Sequence, residues 1–368
     1  MTMERGLTTS RTRLCRRRLG VTFAVFVAAM GSVLASTGRA DAARSASTGA
    51  TFNVTTYGAH GNGTGDNTAA FRGAIAAAQA AGSGNIVYVP AGTYTFATSG
   101  TPASIQIDGT VPITFEGASE ETAILMETTT RKDLLSVKCN GTVIEDLTLN
   151  TQTYEGGHGL GVGASHTTAE NLHVLTGTET FGIYYPGGPH ATPASPVYSI
   201  GNVVNNVILN DEYHGDGWSF SFQSGGSISN VHHTGSRIVL YADINTTVTN
   251  YYYTPGTHGA TGGFIISTPC KNLTITNFVT SGEGGQIKTA PIQARVNQNI
   301  TINGEVMTGG SKFRLLIGDV QGLLIENSTL GGIVIGPKII AQGTVTGTTY
   351  SSVTVRQRGN AVDDIVFS

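Results

Sequence analysis

Several residues of this chain combine reactive side-chain types with one recurring local setting. His158, Glu179 and Asp216 each stand two positions before an apolar residue (Leu160, Phe181 and Trp218). Arg237 directly precedes Ile238, and Lys288 directly follows Ile287. A carboxylate and an imidazole can move protons, and two cations can neutralise negative charge as it develops. Aligned on those five apolar residues, positions 158, 179, 216, 236 and 285 form one row, with Arg237 and Lys288 beside it. Extended chain alternates its side chains between two faces, so with the apolar residues inside, this row is expected outside. His214, His233, Asp243 and His258 are further candidates to contact or act on a substrate. Removing a proton next to a carboxylate would draw on Arg237, Lys288, His258 or His233. No dense group of Asp residues supplies the oxygen cage of a calcium site, and no Cys/His grouping has zinc spacing, so no metal or cofactor is expected.

Residues so far apart need a repeating scaffold to meet. From about residue 140 onward one short phrase recurs: a hydrophobe, a polar residue, Asn or a close substitute, another hydrophobe, then a Gly-rich turn. Ile144-Glu145-Asp146-Leu147, Ala169-Glu170-Asn171-Leu172 and Ile228-Ser229-Asn230-Val231 are examples. Anchored on Asp146, Asn171, Asn206, Asn230, Asn250, Asn272, Asn299 and Gly322, the intervals run from 20 to 35 residues. A period of this size with strand-like content reads as a solenoid, whose rungs bury their apolar faces only by stacking. A polymer lying across the rungs would meet the outer row at several points. The widest interval holds the Pro-rich stretch 186–196, read as a loop wall.

Composition agrees. Charged residues are 12% of the 368, against about 25% in ordinary soluble domains. Gly occurs 50 times, as expected for tight turns between stacked strands. A net charge of −3 argues against a nucleic-acid partner. Five arginines between Arg11 and Arg18 precede an uncharged run from Gly20 to Ala35, and Ala40-Asp41-Ala42 offers a small-residue cleavage site. This is the layout of a secretory signal peptide over residues 1–42. The Arg16-Arg17 pair is compatible with a twin-arginine route. The expected mature protein is a single domain, 43–368, secreted and without a membrane anchor. Cys139 and Cys270 fall several rungs apart and are expected as buried free thiols. The Asn-X-Ser/Thr triplets at Asn53, Asn62, Asn140, Asn245, Asn272, Asn299 and Asn327 read as by-products of Asn turns and Thr-rich strands.

An open solenoid end exposes core and needs a cap. The region 50–95 is the candidate: a strand over 52–57, a Gly-rich loop, a helix from Asp66 or Asn67 to Ala81 with Phe71, Ala74, Ile75 and Ala78 on one face, and a strand Ile86–Val89. The run Tyr57-Gly58-Ala59-His60-Gly61-Asn62-Gly63, with Asp66 to Phe71 and then Val87 to Tyr94, resembles the N-terminal signature of the pectate-lyase-like superfamily. That superfamily includes polygalacturonases, rhamnogalacturonases, polysaccharide lyases and phage tailspikes. The resemblance implies an all-β, right-handed parallel β-helix with an N-terminal capping helix, and a polysaccharide partner.

Segment 203–289 also resembles the catalytic rungs of polygalacturonase-type glycoside hydrolases, which carry Asn-Thr-Asp-Gly, Gly-Asp-Asp, Gly-His-Gly and Arg-Ile-Lys in that order. Here His214-Gly215-Asp216-Gly217, Gly235-Ser236-Arg237, Thr257-His258-Gly259 and Gln286-Ile287-Lys288 take those places. The resemblance implies Asp216 as a catalytic carboxylate, His258 as its support and Lys288 as the grip on a sugar carboxylate. The chain departs from the family at the second turn, where Ser236-Arg237 replaces the paired acids. Inverting hydrolysis needs two carboxyl groups about 6.5–9.5 Å apart. Replacement acids would come from Asp211, Glu212, Asp243 or Glu283. The leading expectation is therefore a secreted polygalacturonase-like hydrolase acting on an acidic polysaccharide. A polysaccharide lyase using Arg237 or Lys288 and a non-catalytic glycan-binding β-helix are the alternatives.

Overall fold

The structure, a computed structural model, describes residues 49–97, 103–128, 133–152, 157–177, 181–211, 216–256, 262–289, 295–309 and 314–368. The leader read over 1–42 lies outside the described residues. Every pairing between named strands is parallel, and strands of successive rungs lie side by side. One sheet has eleven strands, stacked in chain order from Ala103–Ile107 to Val353–Val355 and including Leu160–Val162, Ile183–Tyr185, Asp216–Ser221, Arg237–Tyr241, Phe264–Ser267 and Gly285–Lys288. A second, eighteen-stranded sheet forms the remaining wall. The chain is a right-handed parallel β-helix, and its interior is one continuous apolar core.

The recurring Asn explains how the larger sheet turns a corner. Asp146, Asn171, Asn206, Asn230, Asn250 and Asn277 all adopt φ between 51° and 60°, the left-handed region that Asn tolerates better than other non-Gly residues. Each bends its strand, and the side-chain amides then link rung to rung. Asn171 Nδ2 donates to Asp146 Oδ1 (2.9 Å), Asn206 to Asn171 (2.8 Å), Asn250 to Asn230 (2.9 Å) and Asn277 to Asn250 (2.8 Å). Asn230 instead reaches Asn205 Oδ1. A second ladder runs Asn245, Asn272, Asn299, with Gly322 next in line at φ 72°. The sequence phrase thus merged two seams: 272, 299 and 322 belong to the second, and the first continues at Asn277 on the same long strand, Lys271–Thr280. The amides of Asn245, Asn272, Asn299 and Asn327 are engaged in ladder contacts.

The cap forms largely as its pattern predicts. The helix spans Thr68–Ala80 and buries Phe71, Ala74, Ile75 and Ala78. Asp66 caps it by accepting the Thr68 N–H at 3.0 Å, while Asn67 ties the loop to the His60 N–H and the Thr95 carbonyl. The predicted strand 52–57 is only Thr51–Asn53 followed by a 3-10 turn, Val54–Tyr57. Gly61 and Gly92 touch backbone to backbone: a Cβ on Gly92 would lie 2.7 Å from the Gly61 carbonyl oxygen, so neither position can carry a side chain without displacement. Cys139 and Cys270 are free and buried, as expected.

One core position is anomalous. In the inward column that holds Tyr251 and Phe278, the next residue is Glu305, fully buried. Neither carboxyl oxygen has a hydrogen-bond partner among the described residues, and Gly284 makes room for the group. Burial alone pushes its pKa up to about 8. A carboxyl whose folded pKa lies above its unfolded value favours the fold in acid, and that advantage disappears as pH rises through the folded value. From about pH 5 to pH 8 stability should therefore fall by up to ~1.4 kcal/mol per pH unit from this group. Glu305→Gln, which mimics the protonated acid, is expected to flatten that slope in melting curves. An unchanged slope would show that Glu305 ionises without cost.

Candidate functional site

The outer face of the eleven-stranded sheet carries the reactive residues, in a register that differs from the sequence alignment. Leu160 pairs with Ile183, and Ile183 with Trp218. Phe181 is therefore not the inward partner of Leu160 but lies in the outer row beside His158. In the next rung Asp216 pairs with Arg237, then the register slips by one at Gly217 so that Trp218 pairs with Ile238. Ser236, expected outside, is consequently 1% exposed. Gly285 pairs with Phe264 in the inward column, and a Cβ there would strike the Phe264 ring, so it is not part of the outer row.

Asp216 and Arg237 come together, and Lys288 stands two strands further along the same sheet. Arg237 Nε donates to Asp216 Oδ1 at 2.8 Å, with both side chains partly exposed. Lys288 lies close enough to feel both charges. Partial burial and the Arg237 guanidinium push its pKa below the ordinary lysine value, while Asp216 opposes the shift. Further up the same face, Asp133 Oδ1 accepts the His158 backbone N–H (3.1 Å) and lies 2.6 Å from its Nδ1. The imidazole stacks on Tyr184 (centroids 4.5 Å, planes 11° apart), and Phe181 lies parallel to both rings. Tyr184 pairs with Ser219 in the strand that begins at Asp216. The face thus joins an aromatic step to a charged cluster.

Two expected substrate contacts are corrected. His233 is 1% exposed, with Nε2 donating to Asp211 Oδ2 (2.5 Å) and Nδ1 2.6 Å from the Tyr251 hydroxyl. Asp243 is completely buried, accepts the Gln223 backbone N–H at 2.8 Å, and is pushed well above the carboxylate range by desolvation. Both point into the helix rather than onto its face: His233 from an inward position of strand Ser227–Gly235, and Asp243 from the turn that follows strand Arg237–Tyr241. Tyr252 is exposed and stacks on His232, while Tyr251 and Tyr253 are buried. Glu179, His214 and His258, with the replacement acid Glu212, lie outside the described residues.

Asp211, considered in the sequence only as a replacement acid, instead holds the cluster from within. Asp211, at the end of strand Val203–Asp211, is buried. Desolvation raises its pKa, but hydrogen bonds from His233 and Ser236 outweigh that and leave it below the ordinary value. The Ser236 N–H (3.0 Å) and hydroxyl both donate to Asp211 Oδ1. A Cβ on Gly217 would lie 2.1 Å from Asp211 Oδ2, and one on Gly235 would lie 2.1 Å from the Asp211 carbonyl oxygen. Asp211 therefore pins both turns from which Asp216 and Arg237 emerge. A signal for Asp133 was present: it precedes His158 by 25 residues, the interval from Asp146 to Asn171.

With this geometry in hand, three comparisons place the fold. The family described as rhamnogalacturonase A/epimerase, pectate lyase-like, matches residues 51–125, the cap and first rungs. No curated protein matches the chain. Among solved structures it resembles the A-module of mannuronan C-5 epimerase AlgE6 from Azotobacter vinelandii, at TM-score 0.57 and 18% identity over 86% of this chain and 98% of that one. The AlgE4 A-module of the same organism gives 0.55 and 16%, over 85% and 95%. The N-terminal fragment of bacteriophage Phi29 gene product 12 gives 0.52 and 17%, over 86% and 65%. Likeness at this level is likeness of fold. Rung stacking, cap and these likenesses together identify the fold of this chain as a right-handed parallel β-helix, with residues 51–125 matching the rhamnogalacturonase A/epimerase, pectate lyase-like family.

Proposed function

We propose that this protein is an extracellular carbohydrate-active enzyme that acts on an acidic polysaccharide by abstracting the C5 proton of a uronate, in the manner of a lyase. The observation that supports this reading is that Arg237, paired with Asp216, stands on the outer sheet where hydrolysis would need a second exposed carboxylate, with Lys288 on the same sheet. Among the described residues, Asp133 is engaged with His158 (2.6 Å) and Glu283 with Arg314 (3.8 Å). Asp211 and Asp243 are buried. Hydrolysis would have to recruit Glu179 or Glu212.

The roles follow from charge. Asp216 orients the Arg237 guanidinium, which neutralises the uronate carboxylate and so acidifies the neighbouring C–H. Lys288, whose pKa partial burial and the Arg237 guanidinium lower, is the group assigned to accept the C5 proton, in its deprotonated form. The C5–H electrons form a C4=C5 double bond, the C4–O4 bond breaks, and the Lys288 ammonium returns its proton to the departing O4. Tyr184 and Phe181 offer a ring platform for the adjoining sugar. The leader read over 1–42 would deliver the enzyme to its polymer outside the cell. The similar C-5 epimerases are named for chemistry at the same carbon, which agrees with this reading without carrying it.

Incubation with polygalacturonate or alginate is expected to produce chain ends with the ultraviolet absorbance of an unsaturated uronate. New reducing ends without that absorbance would make the enzyme a hydrolase and overturn the reading. Binding without any cleavage would make it a glycan-binding β-helix.

A further inference from the structure

Beyond Lys288 the same outer face continues into a cleft of about 340 Å³ on the last rungs. Thirteen Lys and Arg follow residue 48 in the sequence, and four of them, Lys288, Lys338, Arg356 and Arg358, line this one cleft. Its shape follows from the register. Ile287, Ile317 and Ile335 stack in one buried column that pairing continues to Val355, half exposed on its strand, so the residues after them, Lys288, Gly318, Gly336 and Arg356, form one row. A Cβ on Gly318 would lie 2.5 Å from the Ile287 carbonyl oxygen. The row is thus a trough of backbone with a cation at each end. Leu316 and Val334, paired across adjacent strands, give its floor an apolar strip.

Lys338 is set beside the trough by a built turn. The backbone N–H groups of Lys338, Ile339 and Ile340 all donate to Asp319 Oδ1, at 2.9, 2.6 and 3.3 Å. Asp319 is 1% exposed, so it fixes the turn from within, while Lys338, Arg356 and Arg358 stand exposed to solvent. A trough with cations along it and an apolar strip beneath matches a chain of acidic sugars, which presents carboxylates at its edges and C–H groups on its ring faces.

We propose that this cleft is a binding subsite for an acidic oligosaccharide segment, with Lys338, Arg356 and Arg358 taking sugar carboxylates and Leu316 and Val334 taking a ring face. The proposal rests on the acidic-polysaccharide reading above and extends it to a part of the fold that holds none of the reacting groups except Lys288. It explains why cations are gathered at the C-terminal rungs of a protein with so few charges.

The test is binding by the mature protein, measured by retardation in gels that contain polygalacturonate, a sulfated glucan or a neutral glucan. The variant Lys338→Gln/Arg356→Gln/Arg358→Gln changes only exposed side chains and should keep the wild-type melting temperature. We expect polygalacturonate to retard the wild type in a salt-sensitive manner, and the triple variant to bind at least about tenfold more weakly. Equal binding by the two proteins overturns the subsite, as does equal retardation by the neutral glucan. Retardation by the sulfated glucan but not by polygalacturonate overturns the assignment to carboxylates. If binding falls in the variant while no unsaturated product appears, the subsite stands and the elimination reaction does not. If product appears and the variant binds normally, the reverse holds.

Discussion

Lys288→Arg should reduce turnover of polygalacturonate by at least ~100-fold while changing affinity for the polymer little. General-base contributions run about 10²–10⁴-fold. Arginine keeps the positive charge at this point of the face, so any role in attracting carboxylates survives, but a guanidinium does not give up its proton. The pH profile makes the test sharper. The lysine must be neutral to accept a proton, so kcat/KM should rise with pH and level off at an apparent pKa below the ordinary lysine value. Burial and the adjacent Arg237 cause that displacement. The arginine variant should lose this rising limb altogether. Full activity in Lys288→Arg would remove Lys288 as the base and return attention to Glu179 and Glu212.

His233→Phe should cost about 3 kcal/mol of folding stability, the scale of breaking one side of a buried charged pair. The loss arises because Asp211 keeps its buried carboxyl but loses a 2.5 Å donor. The direction of the pH dependence distinguishes this cause from simple loss of packing. In the wild type the Asp211 pKa is depressed, so its contribution is present above about pH 4 and is lost as pH falls through the folded value. In the variant burial dominates and the carboxyl is raised instead, so mild acidification from neutral pH should stabilise the protein. Urea titrations between pH 4 and 7 should therefore show opposite slopes, and adding Asp211→Asn to His233→Phe should recover much of the loss. Parallel slopes would show that His233 matters only as a filler. Because Asp211 also pins Gly217 and Gly235, the variant should lower kcat more than it raises KM.

How far the sequence reached can be judged at particular residues. Asn in the left-handed region, apolar alternation and the Phe71–Ala78 helix face are local signals, and each led to the correct element. Register was less legible, because the turns between rungs vary in length and spacing along the sequence does not show which residues stand side by side. Taking Phe181 rather than Ile183 as the partner of Leu160 displaced the outer row, and the slip at Gly217 buried Ser236 and left Arg237 outside. Buried polar residues were the other failure. A sequence gives His233 and Asp243 as reactive types, but whether they face a substrate or a neighbouring rung depends on the strand or turn that carries each. Asp216, Arg237 and Lys288 were singled out because each adjoins a recognisable turn or strand, whereas Asp211 was legible only as a replacement acid and not as the group that holds Ser236 and His233.

The two asparagine ladders carry a consequence for how such a protein can change. Each rung is set against the next by an amide contact and not by the number of residues between contacts. Asn171 and Asn206 meet across 35 residues, while Asn230 and Asn250 meet across 20. The turns between the seams are therefore free to lengthen, shorten or be exchanged without shifting any strand on the opposite wall. Structural bookkeeping lies in the corners, and the surface that meets the polymer can diversify one turn at a time on an axis that stays in phase.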